Sequence, residues 1–395
     1  MSNIELQTLI QDKNNLNVRK VVEFIEKQDN RKFVLIYSAL KDEIIKLNFF
    51  SKLLKENREE FLGCGVSGFF TNSGYYSDHI TVCVFSGDFE ATIFHEPIEY
   101  ENLEETVSKI EKKIDKNDLL FIHSANTIDD NYYIEILLKQ IQENNPKMQI
   151  VGGVSSPPPF IATKEGVFND TIAFALFKGV NCSFKIDTGF EVDEKSSHEF
   201  KLTKVSGEKI FEINGRNAAD EFQKIQHVRD YLFNQLVDMT LTKDIVELPK
   251  YFQKANEILY DAISKSYKDF LGARSIHGFM NAFLVLHINK NYIRVNSLWP
   301  EGTIIKRNLS TPKKHLEVYD RLNNKQDNGK AMILIDCAMR LFYYNYQTDE
   351  AYNKLKKIEY PFIAPQVYGE IGNYIPYHPK ENILHNCTIK ALVFR

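Results

Sequence analysis

Two apolar runs in the first half of the chain, residues 32–38 and 119–124, each end at a polar residue and each lead into a stretch with helical spacing. A run too apolar to alternate is a strand buried on both faces, and such a strand followed by a helix is the unit of an α/β layer. Residues 61–68 and 149–156 add two more strands that run into glycine-rich turns. The pattern predicts an α/β fold of mixed sheets with flanking helices, its first half largely parallel. In sheets of that kind ligands sit at the carboxyl ends of strands, where Ser38, Ser67, His123 and Ser155 fall.

The pattern changes at Thr171. Runs at 172–177, 180–188 and 199–206, with turns at Lys178-Gly179 and Ser206-Gly207, predict antiparallel hairpins. Residues 4–29 show helical spacing and define a helical lead over 1–31. Asn214-Gly215-Arg216 reads as a turn opening a helix, and 219–271 as helical with a break at Pro249. Residues 282–287 and 292–298 read as a hairpin around Asn289-Lys290-Asn291.

Net charge of −4 over 395 residues, with both signs interspersed, gives no electrostatic footprint for nucleic acid and no polybasic membrane patch. Five cysteines at 64, 83, 182, 337 and 387 form neither a disulfide framework nor a metal-binding spacing, which fits a reducing, cytoplasmic setting. The start of the chain lacks the basic and apolar regions of a signal peptide, and no run reaches a membrane-span length. No repeat with a solenoid period is visible.

Chemistry-bearing residues concentrate after Lys330. An apolar run delivers Cys337 and, three residues on, Arg340, whose guanidinium suits two-point contact with a carboxylate. Glu370 stands among Gly369 and Gly372, where missing side chains permit close approach to a ligand. Asn386 and Thr388 add donors and acceptors. The same residues admit a structural reading, with Arg340 and Glu370 paired to each other and Cys337 a small core residue. His385, two residues before Cys387, keeps a thiol-dependent enzyme open as an alternative, although no Gly-x-Ser-x-Gly elbow is present. Gly63-Cys64-Gly65 and Gly152-Gly153 match neither a Rossmann nor a P-loop fingerprint.

The order of these motifs resembles the FIST family. At the C-terminal end the resemblance rests on Cys-x-x-Arg at 337–340, Tyr-Gly-Glu-Ile at 368–371 and His-Asn-x-Thr at 385–388. Earlier it rests on Gly-Cys-x-x-x-Gly at 63–68, Val-Gly-Gly at 151–153, Glu-Ile-Asn-Gly-Arg-x-Ala at 212–218 and Pro-Glu-Gly at 300–302. Phe69 departs from the family, which has an acid at that position. The resemblance implies a FIST N-terminal domain over 32–235 and a FIST C-terminal domain over 236–395, each ending in antiparallel strands. It also implies an intracellular sensory module that binds a small ligand and signals through a separate partner, such as a histidine kinase or a cyclic-nucleotide enzyme; the Glu, Arg and neutral polar groups after Lys330 suit an amino-acid-like ligand. On that reading Arg340 and Glu370 clamp the ligand, and Cys337, Asn386, Gly369, Gly63, Cys64, Gly152 and Gly153 shape its site. A subgroup of the family resembles nitric-oxide sensors holding b-type haem, for which His227 and His277 are the candidate axial ligands.

Overall fold

The sheet built on the first apolar run repeats twice more along the chain. The computed structural model describes residues 4–114, 119–127, 130–191, 199–225, 271–274, 280–283, 285–295, 297–307, 311–322, 328–344, 346–375 and 377–395. The first module comprises β1 (Ile4–Asp12), α1 (Val18–Glu26), β2 (Arg31–Ser38), α2 (Glu43–Glu56), β3 (Leu62–Gly65), the short hairpin β4 (Phe69–Thr71) and β5 (Gly74–Tyr76), and β6 (His79–Gly87). The second has the same order: β7 (Glu90–Pro97), α3 (Leu103–Glu111), β8 (Leu119–Ala125), α4 (Asn131–Asn144), β9 (Gln149–Val154), the hairpin β10 (Ile161–Thr163) and β11 (Gly166–Phe168), and β12 (Thr171–Lys178).

The third module opens with β13 (Cys182–Thr188) and is then interrupted. The inserted part contains β14 (Phe200–Ser206), β15 (Lys209–Ile213), β16 (Arg216–Asn217), α5 (Ala218–Ile225), β17 (Leu271–Arg274), β18 (Met280–Phe283), β19 (Val285–Asn289), β20 (Tyr292–Val295) and β21 (Ile304–Arg307). The module resumes with α6 (Pro312–Leu322), β22 (Ala331–Cys337), α7 (Arg340–Tyr343), α8 (Thr348–Leu355), β23 (Phe362–Val367), β24 (Glu370–Gly372), β25 (Leu384–His385) and β26 (Thr388–Phe394).

The three six-stranded sheets run β1-β6-β2-β3-β10-β11, β7-β12-β8-β9-β24-β25 and β13-β26-β22-β23-β4-β5. Each takes four strands from its own module and a hairpin from another. The first module lends its hairpin to the third sheet, the second to the first sheet, and the third to the second sheet, so the exchange closes in a ring. Backbone bonds repeat the ring where the chain leaves β3, β9 and β23: Ser67 N–H donates to Gln366 O at 3.0 Å, Ser156 N–H to Gly65 O at 2.9 Å, and Tyr368 N–H to Val154 O at 3.0 Å. The register agrees, since Ser38 faces Ile80, Ser124 faces Ile172 and Asp336 faces Ile389 across corresponding strand pairs. The molecule thus has pseudo-threefold symmetry.

The inner faces of all three sheets share one core containing Phe33, Leu35, Phe121, Ile333, Leu392 and Phe394. The outer faces pack separately on their own helices: the first sheet on α1 and α2, the second on α3 and α4, and the third on α6 to α8. Burial on both faces explains why the central strands read as unbroken apolar runs. The inserted strands form a further sheet, β18-β17-β21-β14-β15-β20-β19 with β16 beside β15, around a small core that includes Leu202, Ile293, Val295 and Ile305.

Several expectations change. Residues 4–12 are not helical; they form strand β1, paired along its length with β6, and only 18–26 keep the helix. Their apolar residues fall on a strand whose first residues are buried at Ile4 and Leu6, and pairing with β6 overrides the helical spacing. The first half is not largely parallel: the parallel pairs among the described strands are β2–β3, β8–β9 and β22–β23, one per module. Lys178-Gly179 does not close a hairpin, because β12 pairs with β7 and β8 whereas β13 pairs with β26. Ser206-Gly207 does close one, between β14 and β15, and β19 and β20 form the hairpin expected around 289–291. The helix assigned to 251–271 lies outside the described residues except for Leu271, which begins β17. Sheets also cross the expected division at 235, since β4 pairs with β23 and β9 with β24.

Candidate functional site

Three modules built alike serve as controls for one another, and the third departs from the other two at the end of β22 and the start of β24. Cys337, at the end of β22, corresponds to Ala39 and Ala125 by the register of the central strands. Glu370, first residue of β24, corresponds to Phe69 and Ile161, each of which starts a hairpin strand and lies in the shared core. Lys390 corresponds to Thr81 and Ala173, and Cys387 to Asp78 and Asp170. The fold therefore accepts small or apolar residues where the third module carries a thiol, a carboxyl and an amine. The acid missing at Phe69 is present at its counterpart, Glu370.

These four residues are at most 2 % exposed. Thr388 donates to Glu370 Oε2 through its backbone N–H at 2.9 Å and its hydroxyl at 3.0 Å. Lys390 Nζ donates to the carbonyl oxygens of Glu370 at 2.6 Å and of Gly372 and Ile383 at 3.4 Å. Burial pushes the Glu370 carboxyl well above the usual range and the Lys390 ammonium well below its own. The Cys337 thiol lies between Glu370 and Cys387, and Phe190 and Met339 pack on the two sulfurs. Desolvation, first, and then Cys387 raise the Cys337 pKa well above the thiol range, so the sulfur keeps its proton.

The insertion covers this cluster. It leaves the third module between β13 and α6, the connection that in the first module is residues 13–17 between β1 and α1. Ser77 and Asn169, the counterparts of Asn386, are exposed, whereas Asn386 is 2 % exposed. Its backbone N–H donates to Asn281 Oδ1 of β18 at 2.9 Å, and Asn382 Nδ2 donates to Leu298 O at 2.7 Å. Asn281 is equally buried. Among the described residues, neither the Asn281 nor the Asn386 amide NH2 has an acceptor and Glu370 Oε1 has no hydrogen-bond partner, while the Cys337 thiol meets the same carboxyl group. Buried donors without acceptors are uncommon in folded proteins and mark a place where a further group belongs.

Arg340 is elsewhere. Its Nε lies 2.8 Å from Asp336 Oδ1, its Nη2 donates to His315 O at 2.7 Å, and its guanidinium covers the Tyr319 ring. Tyr319 donates to the other Asp336 oxygen at 2.6 Å. Both charged residues are fully buried on the helical side of the third sheet. The expected Arg340–Glu370 clamp is not built, because Arg340 spends its charge on Asp336, four residues earlier.

The glycines are packing positions. A Cβ at Gly152 would fall 1.8 Å from Ile122 O, and one at Gly153 2.8 Å from Val367. At Gly63 it would press on Phe50 at 3.0 Å, and at Gly369 on Leu384 and Val154 at 3.2 Å. Cys64 is a buried member of the shared core. His227 and His277 lie outside the described residues. His123 sits in the core with Nδ1 2.9 Å from Gly153 O and Nε2 2.9 Å from the Tyr37 hydroxyl. The carbonyl can only accept, so Nδ1 carries the proton and Nε2 accepts from Tyr37. His385 Nε2 lies 2.7 Å from Asn382 O, and burial, reinforced by Lys390, holds its pKa well below the usual value. Among the described residues no group of three or more His, Cys, Asp or Glu is placed to hold a metal ion.

Sequence reasoning reached Glu370, Cys337 and Asn386 but gave no role to Lys390 or Asn281. Lys390 stood in plain view as a charge inside an apolar closing strand. Asn281 carried no local signal.

A family model described as the FIST N domain matches residues 32–216. This stretch is similar to a FIST N domain. It runs from β2 through the second module and β13 into the first strands of the insertion. FIST domains are sensory, and the match supports a sensory role. The cluster around Glu370 lies beyond the matched FIST N domain, in the part whose motifs resemble the family's C-terminal domain. A search of curated proteins found no match. Among the described residues no helix is long and apolar enough to cross a membrane.

Proposed function

We propose that this protein senses a small molecule at the junction between the third module and the inserted sheet. The ligand lies against Glu370, Cys337, Asn386 and Asn281. The observation that carries this reading is the coincidence of two features at one place. The third module alone replaces the small or apolar residues of its sister modules with Cys337, Glu370 and Lys390, and the insertion buries two amide groups there that have no acceptor among the described residues.

The role follows from the architecture. A ligand bound there touches the rigid strand ends of the ring on one side and β18 of the insertion on the other, so its presence biases how the insertion docks. A separate signalling protein, such as a histidine kinase or a cyclic-nucleotide enzyme, reads that change. The thiols do no chemistry in this account, since Cys337 is buried and protonated. Thermal-shift measurements with a panel of amino acids, carboxamides, nucleobases and haem test the proposal. It expects at least one compound to raise the melting temperature of the wild-type protein and to lose that effect in N386A. A panel without effect, or an effect unchanged in N386A, overturns it.

A further inference from the structure

We infer that the sulfurs of Cys337, Cys387 and Met339 form a site for a soft monovalent metal ion, Cu(I). The site needs neither Asn281 nor Asn386 and so stands apart from the sensory reading. The Cys337 and Cys387 side chains are within hydrogen-bond reach of each other, and Met339 and Phe190 pack on the pair. Thiolate and thioether sulfurs together are the donor set that selects monovalent copper. A structural zinc site needs four donors drawn from cysteine, histidine and carboxylate, and the described residues do not place even three such groups around one point. Cu(I) takes two or three sulfurs, which this place supplies.

The fold does not call for these thiols. The counterparts of Cys337 are Ala39 and Ala125, and those of Cys387 are Asp78 and Asp170. Burial under the insertion accounts for the loss of the acid but not for the choice of a thiol, because Cys387 holds φ of +57°, a conformation that glycine takes without strain. A side chain kept against backbone strain marks a place where its chemistry is used. Two sulfurs in contact are already close to the spacing one ion requires, since two metal–sulfur bonds of about 2.3 Å span little more than that contact. The Cys387 backbone N–H donates to the Cys337 sulfur, a bond that favours the thiolate. Cys337 and Cys387 are at most 2 % exposed, whereas Met339 and Phe190 against them are half-buried, so an ion enters at the thioether. As it binds, each thiol releases its proton to solvent, each sulfur gives a lone pair to the metal, and copper stays monovalent.

The test uses full-length protein, reduced and kept free of oxygen, with Cu(I) supplied as its acetonitrile complex and bathocuproine disulfonate as the competing chelator. Wild type is expected to hold a single equivalent of copper against the chelator and to gain the ultraviolet charge-transfer band of a copper thiolate. C337A, which restores the alanine of the sister modules, and C387G, which relieves the backbone, are expected to keep the circular dichroism of wild type and to hold none. M339L gives up the ion at a lower chelator concentration than wild type. C182A, which removes the half-buried thiol elsewhere in the chain, holds it as wild type does. Copper retained by C337A or C387G, copper lost from C182A, or none held by wild type overturns the site.

Discussion

Cys387 and Asp78 hold the same backbone position in two modules, each with φ of +57° and each two residues before the isoleucine that pairs with the end of the central strand. Asp170 completes the set with φ of +44°. Asp tolerates this left-handed conformation and Cys does so rarely, so the third module keeps a thiol where the backbone favours a carboxylate. The reason lies in burial: Asp78 and Asp170 reach solvent, whereas Cys387 is covered by the insertion. C387D relieves the backbone but buries a carboxylate next to Glu370, and it is expected to cost roughly 3–5 kcal/mol. D170C, at the exposed counterpart, changes the urea midpoint little. Equal losses from C387D and D170C would remove the distinction between the modules.

Glu370 and Lys390 are buried side by side, and burial pushes each toward its neutral form. E370I and K390T place in the third module the residues of its sisters, Ile161 and Thr81. Each single change leaves buried polar groups short of a partner and is expected to cost about 1–3 kcal/mol, whereas the double variant loses less than the sum. Urea unfolding of the four proteins reads the cycle directly. Additive losses would show that the two side chains are not coupled.

Arg340 belongs to stability. R340M and D336L are each expected to lose about 3–5 kcal/mol, and the double variant less than the sum, because both charges are fully buried and each is the other's opposite charge. A protein in which R340M unfolds like wild type but loses ligand response would restore the clamp that the geometry disfavours.

Acid stability depends on His123. Burial lowers its pKa to about 4 in the folded protein, against an unfolded value near 6.5. A depressed value means the folded state resists protonation, so this contribution is complete above pH 6.5 and is lost as the pH falls toward 4. The loss is roughly 3 kcal/mol, at about 1.4 kcal/mol per pH unit. In H123N, which cannot take the proton, that part of the acid slope disappears. Parallel stability–pH curves for H123N and wild type between pH 7 and 4 would contradict the assignment.

Much of this structure was legible where one local rule governs. The unbroken runs ending at Ser38, Ser124 and Cys337 are the three central strands, and Glu370 and Asn386 stood out as polar residues in motif positions. The threefold plan was not legible, because only a few positions repeat, as in Ser-Asp-His-Ile at 77–80, Asn-Asp-Thr-Ile at 169–172 and Asn-Cys-Thr-Ile at 386–389. The insertion also splits the third copy, and the exchanged strands β4, β10 and β24 are three residues each. Such short strands are specified by the neighbouring module rather than by their own pattern. Arg340 misled for a related reason. Its partner Asp336 lay four residues away inside an apolar run, and only the turn after β22 brings the two together.

The measurement that tests the account most directly is ligand response in E370I/K390T, the variant that gives the third module the core of its sisters. The account predicts a folded protein, with the circular dichroism of wild type, that no longer answers the compound found by thermal shift. A folded E370I/K390T protein that still responds with wild-type affinity would place the site elsewhere.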